Sequence, residues 1–365
     1  MTELEACLVL QHLSGIGWQR SQKLLSHFGS ATAIFKANAK EWQTVPGLGE
    51  YACKGLATWE KAYPKAKQQR KLLEKYQVQY LKCGTEDYPL PLSYCSDAPI
   101  LLFYQGASKF KDRKIISVVG TRQNTPHGKA FCEELIRCLR PYNPIICSGL
   151  ARGIDIIAHA AALKEGLETV ACLAHGLDFI YPKEHSGTAK KLVANGALLT
   201  GFLPETEFLR VNFPRRNRLI AGMAHATVVI ESGVQGGSMN TANLAHQYGR
   251  ELFAVPGRYS DNKSQGCHQL IVQQKAQLLS DPQQLVTALG WEKDSHPKSV
   301  QKTLFTQLSQ EEKKVVEGLR QRSKTHLDAL ALEVGQKISK TAAMLMELEM
   351  KGVVRALPGK YYELI

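Results

Sequence analysis

Ile115-Ile116-Ser117-Val118-Val119-Gly120-Thr121-Arg122 opens the region whose reading decides the fold. An apolar, β-branched run stops at a glycine and a cation, and further short apolar runs follow at 145–147, 169–173, 197–200, 227–230, 252–255 and 277–279. Stretches of helical character separate them. That alternation predicts βαβ crossovers and a parallel sheet covered on both faces, so the expected class is α/β with a Rossmann-like core over residues 110–291.

Working outward, residues 1–65 read as short helices punctuated by Leu13-Ser14-Gly15-Ile16-Gly17 and Val45-Pro46-Gly47-Leu48-Gly49. A Gly-hydrophobic-Gly turn opening a helix presents free N–H groups to an anion. The pair resembles a tandem helix-hairpin-helix, or SAM-like, domain. Residues 66–109 read as a connecting extension: the chain is basic and helical from Lys61 to Lys82 and is interrupted by Tyr88-Pro89-Leu90-Pro91. Residues 292–304 read as a polar linker. In 305–365, Ser309-Gln310-Glu311-Glu312 and Thr325-His326-Leu327-Asp328 carry helix-start signals, a third helix spans about 338–351, and a hairpin closes the chain. Three helices and a two-stranded wing predict a winged helix.

The 365 residues carry 46 Lys plus Arg against 33 Asp plus Glu, a formal charge of +13, which favours a polyanionic partner. With 44% hydrophobic and 22% charged residues, the composition excludes a chain disordered throughout. No apolar run reaches membrane-span length, and the start is acidic where a secretory signal is basic, so a cytoplasmic location is expected. Nine cysteines without a Cys-x-x-Cys pair read as reduced, buried thiols; neither metal nor cofactor is expected.

The glycine-rich clusters follow the strands: Gly120-Thr121-Arg122, Ser148-Gly149-Leu150-Ala151-Arg152-Gly153, His175-Gly176-Leu177-Asp178-Phe179, Ser232 to Ser238, and Pro256-Gly257-Arg258. In an open parallel sheet such loops meet at the carboxyl edge. Backbone N–H groups, helix N-termini and Arg122, Lys183, Arg215, Arg216 and Arg218 together favour phosphate. The dinucleotide fingerprint is absent from the first loop, and no ribose-binding acid ends the second strand. Phe179 or Tyr181 beside Lys183 would combine base stacking with backbone charge. Ser148, Asp155 and His159 lack a nucleophile-elbow context, so no catalytic residue is expected; Asp155 reads as a cap or an anchor of the glycine loop.

Val118-Val119-Gly120-Thr121-Arg122, Ser148 to Asp155, Gly176-Leu177-Asp178-Phe179-Ile180-Tyr181-Pro182-Lys183, Phe213 to Gly222 and Phe253-Ala254-Val255-Pro256-Gly257 together resemble the DNA-processing protein A family, also called DprA or Smf. The resemblance spans about residues 85–290. It implies a non-enzymatic, usually dimeric cytoplasmic protein that binds single-stranded DNA during natural transformation and helps load a RecA-type recombinase. It implies that Arg122 and Lys183 take phosphates and Phe179 contacts a base. The remaining expected nucleic-acid-binding residues are Gly120, Thr121, Ser148, Gly149, Arg215, Asn217, Arg218, Gly237 and Ser238. His127 and Asn240 depart from the family's usual residues.

A second reading is a Rossmann-like nucleotide phosphoribohydrolase of the lysine-decarboxylase-like kind. Its motif ends in a catalytic Glu where this chain has Asn243. That substitution weighs against the enzyme.

Overall fold

The structure, a computed structural model, describes residues 1–291, 308–320 and 324–364. The expected linker at 292–304 lies outside the described residues. Compactness divides the chain into residues 1–278 and 279–365.

The first unit opens with helices α1 (Glu3–Leu10), α2 (Trp18–Phe28), α3 (Ala31–Ile34), α4 (Ala39–Gln43), α5 (Glu50–Leu56) and α6 (Trp59–Lys75). Thr2 and Glu5 form a capping box at the start of α1. The two glycine turns are alike in geometry: Gly15 and Gly47 are left-handed at φ +74° and +78°, and Gly17 and Gly49 are the N-caps of α2 and α5. Leu13, Ile16, Val45 and Leu48 bury themselves beneath these turns.

The expected helix to Lys82 ends at Lys75 instead. The chain turns at Gln77, which is left-handed at φ +51°, and Gln79–Lys82 is an edge strand, β1. Gln79 and Tyr80 are exposed while Leu81 is buried, so polar residues that read as a helix face line an outer edge of the sheet. Strand β2 (Leu101–Gly106) follows the short helix α7 (Leu90–Ser93).

Then come β3 (Ile115–Val119), α8 (Pro126–Leu139), β4 (Ile145–Ser148), α9 (Ile154–Lys164), β5 (Thr169–Leu173), α10 (Ser186–Asn195), β6 (Gly196–Thr200), α11 (Asn212–Met223), β7 (Ala226–Val229), α12 (Gly237–Gln247), β8 (Glu251–Ala254), α13 (Gln265–Val272) and β9 (Gln277–Leu278). The sheet order is β1-β2-β6-β5-β4-β3-β7-β8-β9. From β6 to β9 all neighbours are parallel; β1 and β2 add an antiparallel margin. Successive side chains point to opposite faces. Leu101, Phe103, Ala171, Leu173 and Leu198 share one core with the N-terminal helices, whereas Leu102, Val170, Cys172, Ala197 and Leu199 belong to another. The strand order reverses at β3, which has β4 on one side and β7 on the other. A crevice opens there at the carboxyl edge.

In the second unit, α14 (Pro282–Ala288) precedes α15 (Gln310–Arg320), β10 (Thr325–His326), α16 (Leu327–Glu333), α17 (Ile338–Met350), β11 (Val354–Leu357) and β12 (Tyr361–Leu364). Ser309 and Glu312 cap α15 reciprocally, with N···O distances of 2.8 and 3.2 Å. At α16 the structure differs from the expected Thr325 signal. Thr325 and His326 pair with β12, and the His326 side chain accepts from the Asp328 N–H at 3.3 Å. Val315, Leu319, Leu330, Leu345, Leu348 and Val354 form the core of this winged helix.

All nine cysteines are free, and seven are buried. Burial pushes the Cys7 and Cys132 thiols up to about 12. Among the described residues no helix is long and apolar enough to cross a membrane, and no group of three or more His, Cys, Asp or Glu is placed to hold a metal.

Candidate nucleic-acid interface

The crevice is a cavity of about 500 Å³ between the loop after β3 and the loop after β7. Gly120, Thr121 and Arg122 form one wall and Gly236, Gly237 and Ser238 the other, with Asp155, Phe213, Arg216 and Asn217 between them. Glu231, in the loop just after β7, holds the first wall. Its carbonyl accepts from the Thr121 N–H at 2.7 Å, its carboxylate accepts from the Thr125 N–H at 2.9 Å, and the Thr125 hydroxyl also donates to it. Thr125 in turn caps α8, with Pro126 in the first turn. On the opposite wall, Gly236 caps α12 without a side-chain bond. The Met239 N–H donates to Gly236 O at 3.0 Å, which leaves the N–H groups of Gly237 and Ser238 in that first turn for an anion.

Beneath the pocket lies a buried ionic frame. Arg216, 5% exposed, donates from Nη1 to the carbonyls of Gly149 (2.6 Å) and Cys172 (2.7 Å) and from Nε to Asn217 Oδ1 (3.1 Å). Asp155 Oδ2 accepts from the N–H groups of Gly149 (3.1 Å) and Ala151 (3.4 Å), which is the loop-anchoring role expected of it. Burial pushes the Asp155 carboxyl up, and the nearby Arg216 cation opposes that shift. A Cβ at position 149 would stand 2.1 Å from Arg216 Nη1, so only glycine fits against this frame. Asn217 then donates to Gly237 O and Asn240 Oδ1, both at 3.3 Å, so Asn240 links α11 to the start of α12.

Of the residues expected in the site, Gly120, Thr121, Arg122, Asn217, Gly237 and Ser238 come together in the pocket wall. Ser148 and Gly149 lie below it: the Ser148 hydroxyl donates to Val118 O at 2.7 Å, and Gly149 meets Arg216 through its carbonyl. Phe179 and Lys183 stand outside the pocket on the loop after β5. Lys183 is exposed and, like Arg122, has no carboxylate partner among the described residues. Helix α11 turns the other two cations away. Arg215 lines a separate cavity of about 620 Å³ on the opposite side of the helix, and Arg218 is held by Asp97 at 3.1 Å with its guanidinium 3.8 Å from the centre of the Trp18 ring.

A family model described as "DNA recombination-mediator protein A" matches residues 79–290, and a second, "DprA winged helix domain", matches residues 303–360. The chain belongs to the DprA family. Protein Smf of Escherichia coli K12 is 32% identical over 296 residues, covering 80% of this chain and 79% of that protein. The crystal structure of DprA from Streptococcus pneumoniae aligns with a TM-score of 0.68 at 31% identity, over 78% of this chain and 97% of that one. A DprA structure from Helicobacter pylori, reported for its single-stranded DNA binding mode, aligns with a TM-score of 0.53 at 30% identity, over 59% and 96%.

DprA proteins are DNA-processing proteins and not enzymes of the phosphoribohydrolase kind. The local chemistry of this DprA chain agrees with that. Asn243, where the hydrolase needs Glu, is bonded to Lys275 Nζ at 3.4 Å. Ser148 and His159 form no relay either: His159 Nδ1 pairs with the Thr169 hydroxyl at 2.6 Å, and burial pushes the imidazole down to about 3.

Sequence reasoning missed Glu231 and Phe208 and took Arg216 for an open cation. Glu231 looks like a polar stop after an apolar strand. Arg216 stands between the open-looking Arg215 and Arg218, and only its helical phase turns it inward. Phe208 sits in the stretch Glu205-Thr206-Glu207-Phe208-Leu209-Arg210-Val211, where large apolar residues without periodicity are the one available signal.

Proposed function

We propose that this DprA-family chain binds single-stranded DNA in the crevice between the β3 and β7 loops. Loop amides, Arg122 and Lys183 hold the phosphates, and Phe179 contacts a base. The observation that carries this reading is the pairing of a helix start that has no side-chain cap with Arg122, which has no carboxylate partner among the described residues, in one pocket at the switch point of the sheet. The DNA-binding H. pylori relative supports it.

We assign residues 1–65, 66–109, 110–291, 292–304 and 305–365 to a SAM-like domain, an extension, the DNA-binding core, a linker and a winged helix. Titration with single-stranded and duplex DNA at two salt concentrations tests the reading. Single strands should bind more tightly, with a steep salt dependence. Removal of residues 295–365 should leave that binding in place; a folded truncation without it would move the main site to the winged helix.

The chain acts in the cytoplasm as a homodimer that protects incoming DNA and passes it to a RecA-type recombinase in transformation and recombination. Co-precipitation with the host recombinase, with and without single-stranded DNA, tests the hand-over. Absence of association in both conditions removes that step from the proposal.

A further inference from the structure

Five rings cluster beside the pocket. The Phe208 ring centre lies 4.8 Å from that of Tyr181, 5.7 Å from Phe179, and 5.8 Å from both His175 and Phe213. Phe179 stacks on the buried His175 at 4.3 Å, and the Arg122 guanidinium lies 5.8 Å from the centre of the Phe213 ring. Phe213 also lines the pocket, so the cluster continues from the phosphate-binding wall toward the loop that carries Lys183. Phe179, Tyr181 and Phe208 keep 37%, 47% and 39% of their surface exposed. Large aromatic surface left in water costs free energy and suits a partner that brings flat apolar faces. Of the acids on these loops, Glu205 is held by Lys75 at 3.0 Å and Tyr76 at 2.9 Å and Glu184 by Arg152 at 2.6 Å, while Asp178 and Glu207 flank Phe179 and Phe208.

We infer that this cluster is a base-stacking floor centred on Phe208, which takes successive nucleobases of the strand whose phosphates occupy the pocket. The inference rests on the proposed single-strand reading of that pocket. Aromatic faces accept every base, so the floor adds affinity without reading sequence. Bases are favoured over an apolar protein surface because the floor is continuous with a cationic pocket: Arg122 borders both. The edge-on and tilted contacts that Phe208 makes also leave part of the Phe179, Tyr181 and Phe208 surfaces open.

The test compares an oligothymidine strand with an abasic strand of equal length, by fluorescence anisotropy on the full chain. The parent chain should bind oligothymidine more tightly. Phe208→Ala should weaken oligothymidine binding by about tenfold and leave abasic binding and its salt slope unchanged, as expected for loss of one stacked base. Phe208→Tyr should restore affinity, which separates a stacking role from damage to the loop.

Equal loss on both strands would make Phe208 a support of the pocket and overturn the inference. So would unchanged affinity on both, or a change confined to subunit association measured by light scattering. If Arg122→Ala fails to weaken abasic binding, the pocket reading itself falls. If it does weaken it while Phe208→Ala leaves oligothymidine binding intact, the floor alone falls.

Discussion

Replacement of both Arg122 and Lys183 by Ala will abolish measurable single-strand binding at physiological salt and leave the melting temperature close to that of the parent chain. Both side chains are exposed, and neither has a carboxylate partner among the described residues, so truncation strands no buried charge. What Arg122 gives up is its interaction with Phe213, 5.8 Å away, worth about 0.5–1 kcal/mol at an exposed site. Every phosphate that no longer meets a cation should flatten the log–log salt slope by roughly 0.7, so the single variants will each show about that change and the pair about twice it. Binding isotherms across salt, with a melting curve for each variant, check this. Normal binding by the double variant would place the DNA elsewhere, and the basic face of α6 would be the next surface to test.

Arg216→Met will cost stability, by roughly 2–6 kcal/mol, because each of the two buried carbonyls left without its donor costs ~1–3 kcal/mol. The substitution removes the donor to Gly149 O and Cys172 O and leaves Asp155 buried without its cation. The sign of the pH dependence follows. Burial already raises the Asp155 carboxyl in the folded state, and loss of Arg216 raises it further. A raised carboxyl binds its proton more tightly when folded, so the stability it contributes is present below its unfolded value and is lost as pH rises through the folded one. The deficit of Arg216→Met should therefore be smaller at pH 5 than at pH 8. Adding Asp155→Asn should recover part of it. Urea unfolding at both pH values measures these differences, and an equal deficit at the two would show that the missing hydrogen bonds, and not the stranded carboxylate, set the cost.

The two variants also mark what can be read from the chain. The central parallel strands are legible because runs such as Ile115–Val119 and Thr169–Leu173 are largely apolar on both faces and lead into Gly120 and His175-Gly176. The β1 strand is not, since Gln79 and Tyr80 face solvent at an edge and continue a basic helical pattern. The β2 run falls within a stretch that reads as a connection, because its antiparallel pairing depends on β6, about 95 residues later. In the site, the Gly120 and Gly237 loops can be placed because strand ends define the carboxyl edge. The division of α11 into a pocket face with Phe213, Arg216 and Asn217 and an opposite face with Arg215 depends on the helix's rotation, which Arg215-Arg216-Asn217-Arg218 alone does not reveal. Stacking among His175, Phe179 and Phe208 joins separate loops, so no local pattern announces it.

The position of β7 beside β3 has a consequence for synthesis. The first wall of the crevice is complete in sequence by Arg122, whereas the second comes from residues 232–241, about 110 residues later. A chain leaving the ribosome therefore displays Arg122 well before any pocket exists. During that interval one side of β3, a strand buried along its whole length in the finished molecule, has no hydrogen-bonding neighbour. An unpaired apolar strand is prone to wrong pairing. Insertion of β7 closes that vulnerable edge and brings the crevice's second wall into place, so a nascent chain gains the proposed DNA pocket only as it loses its most adhesive edge.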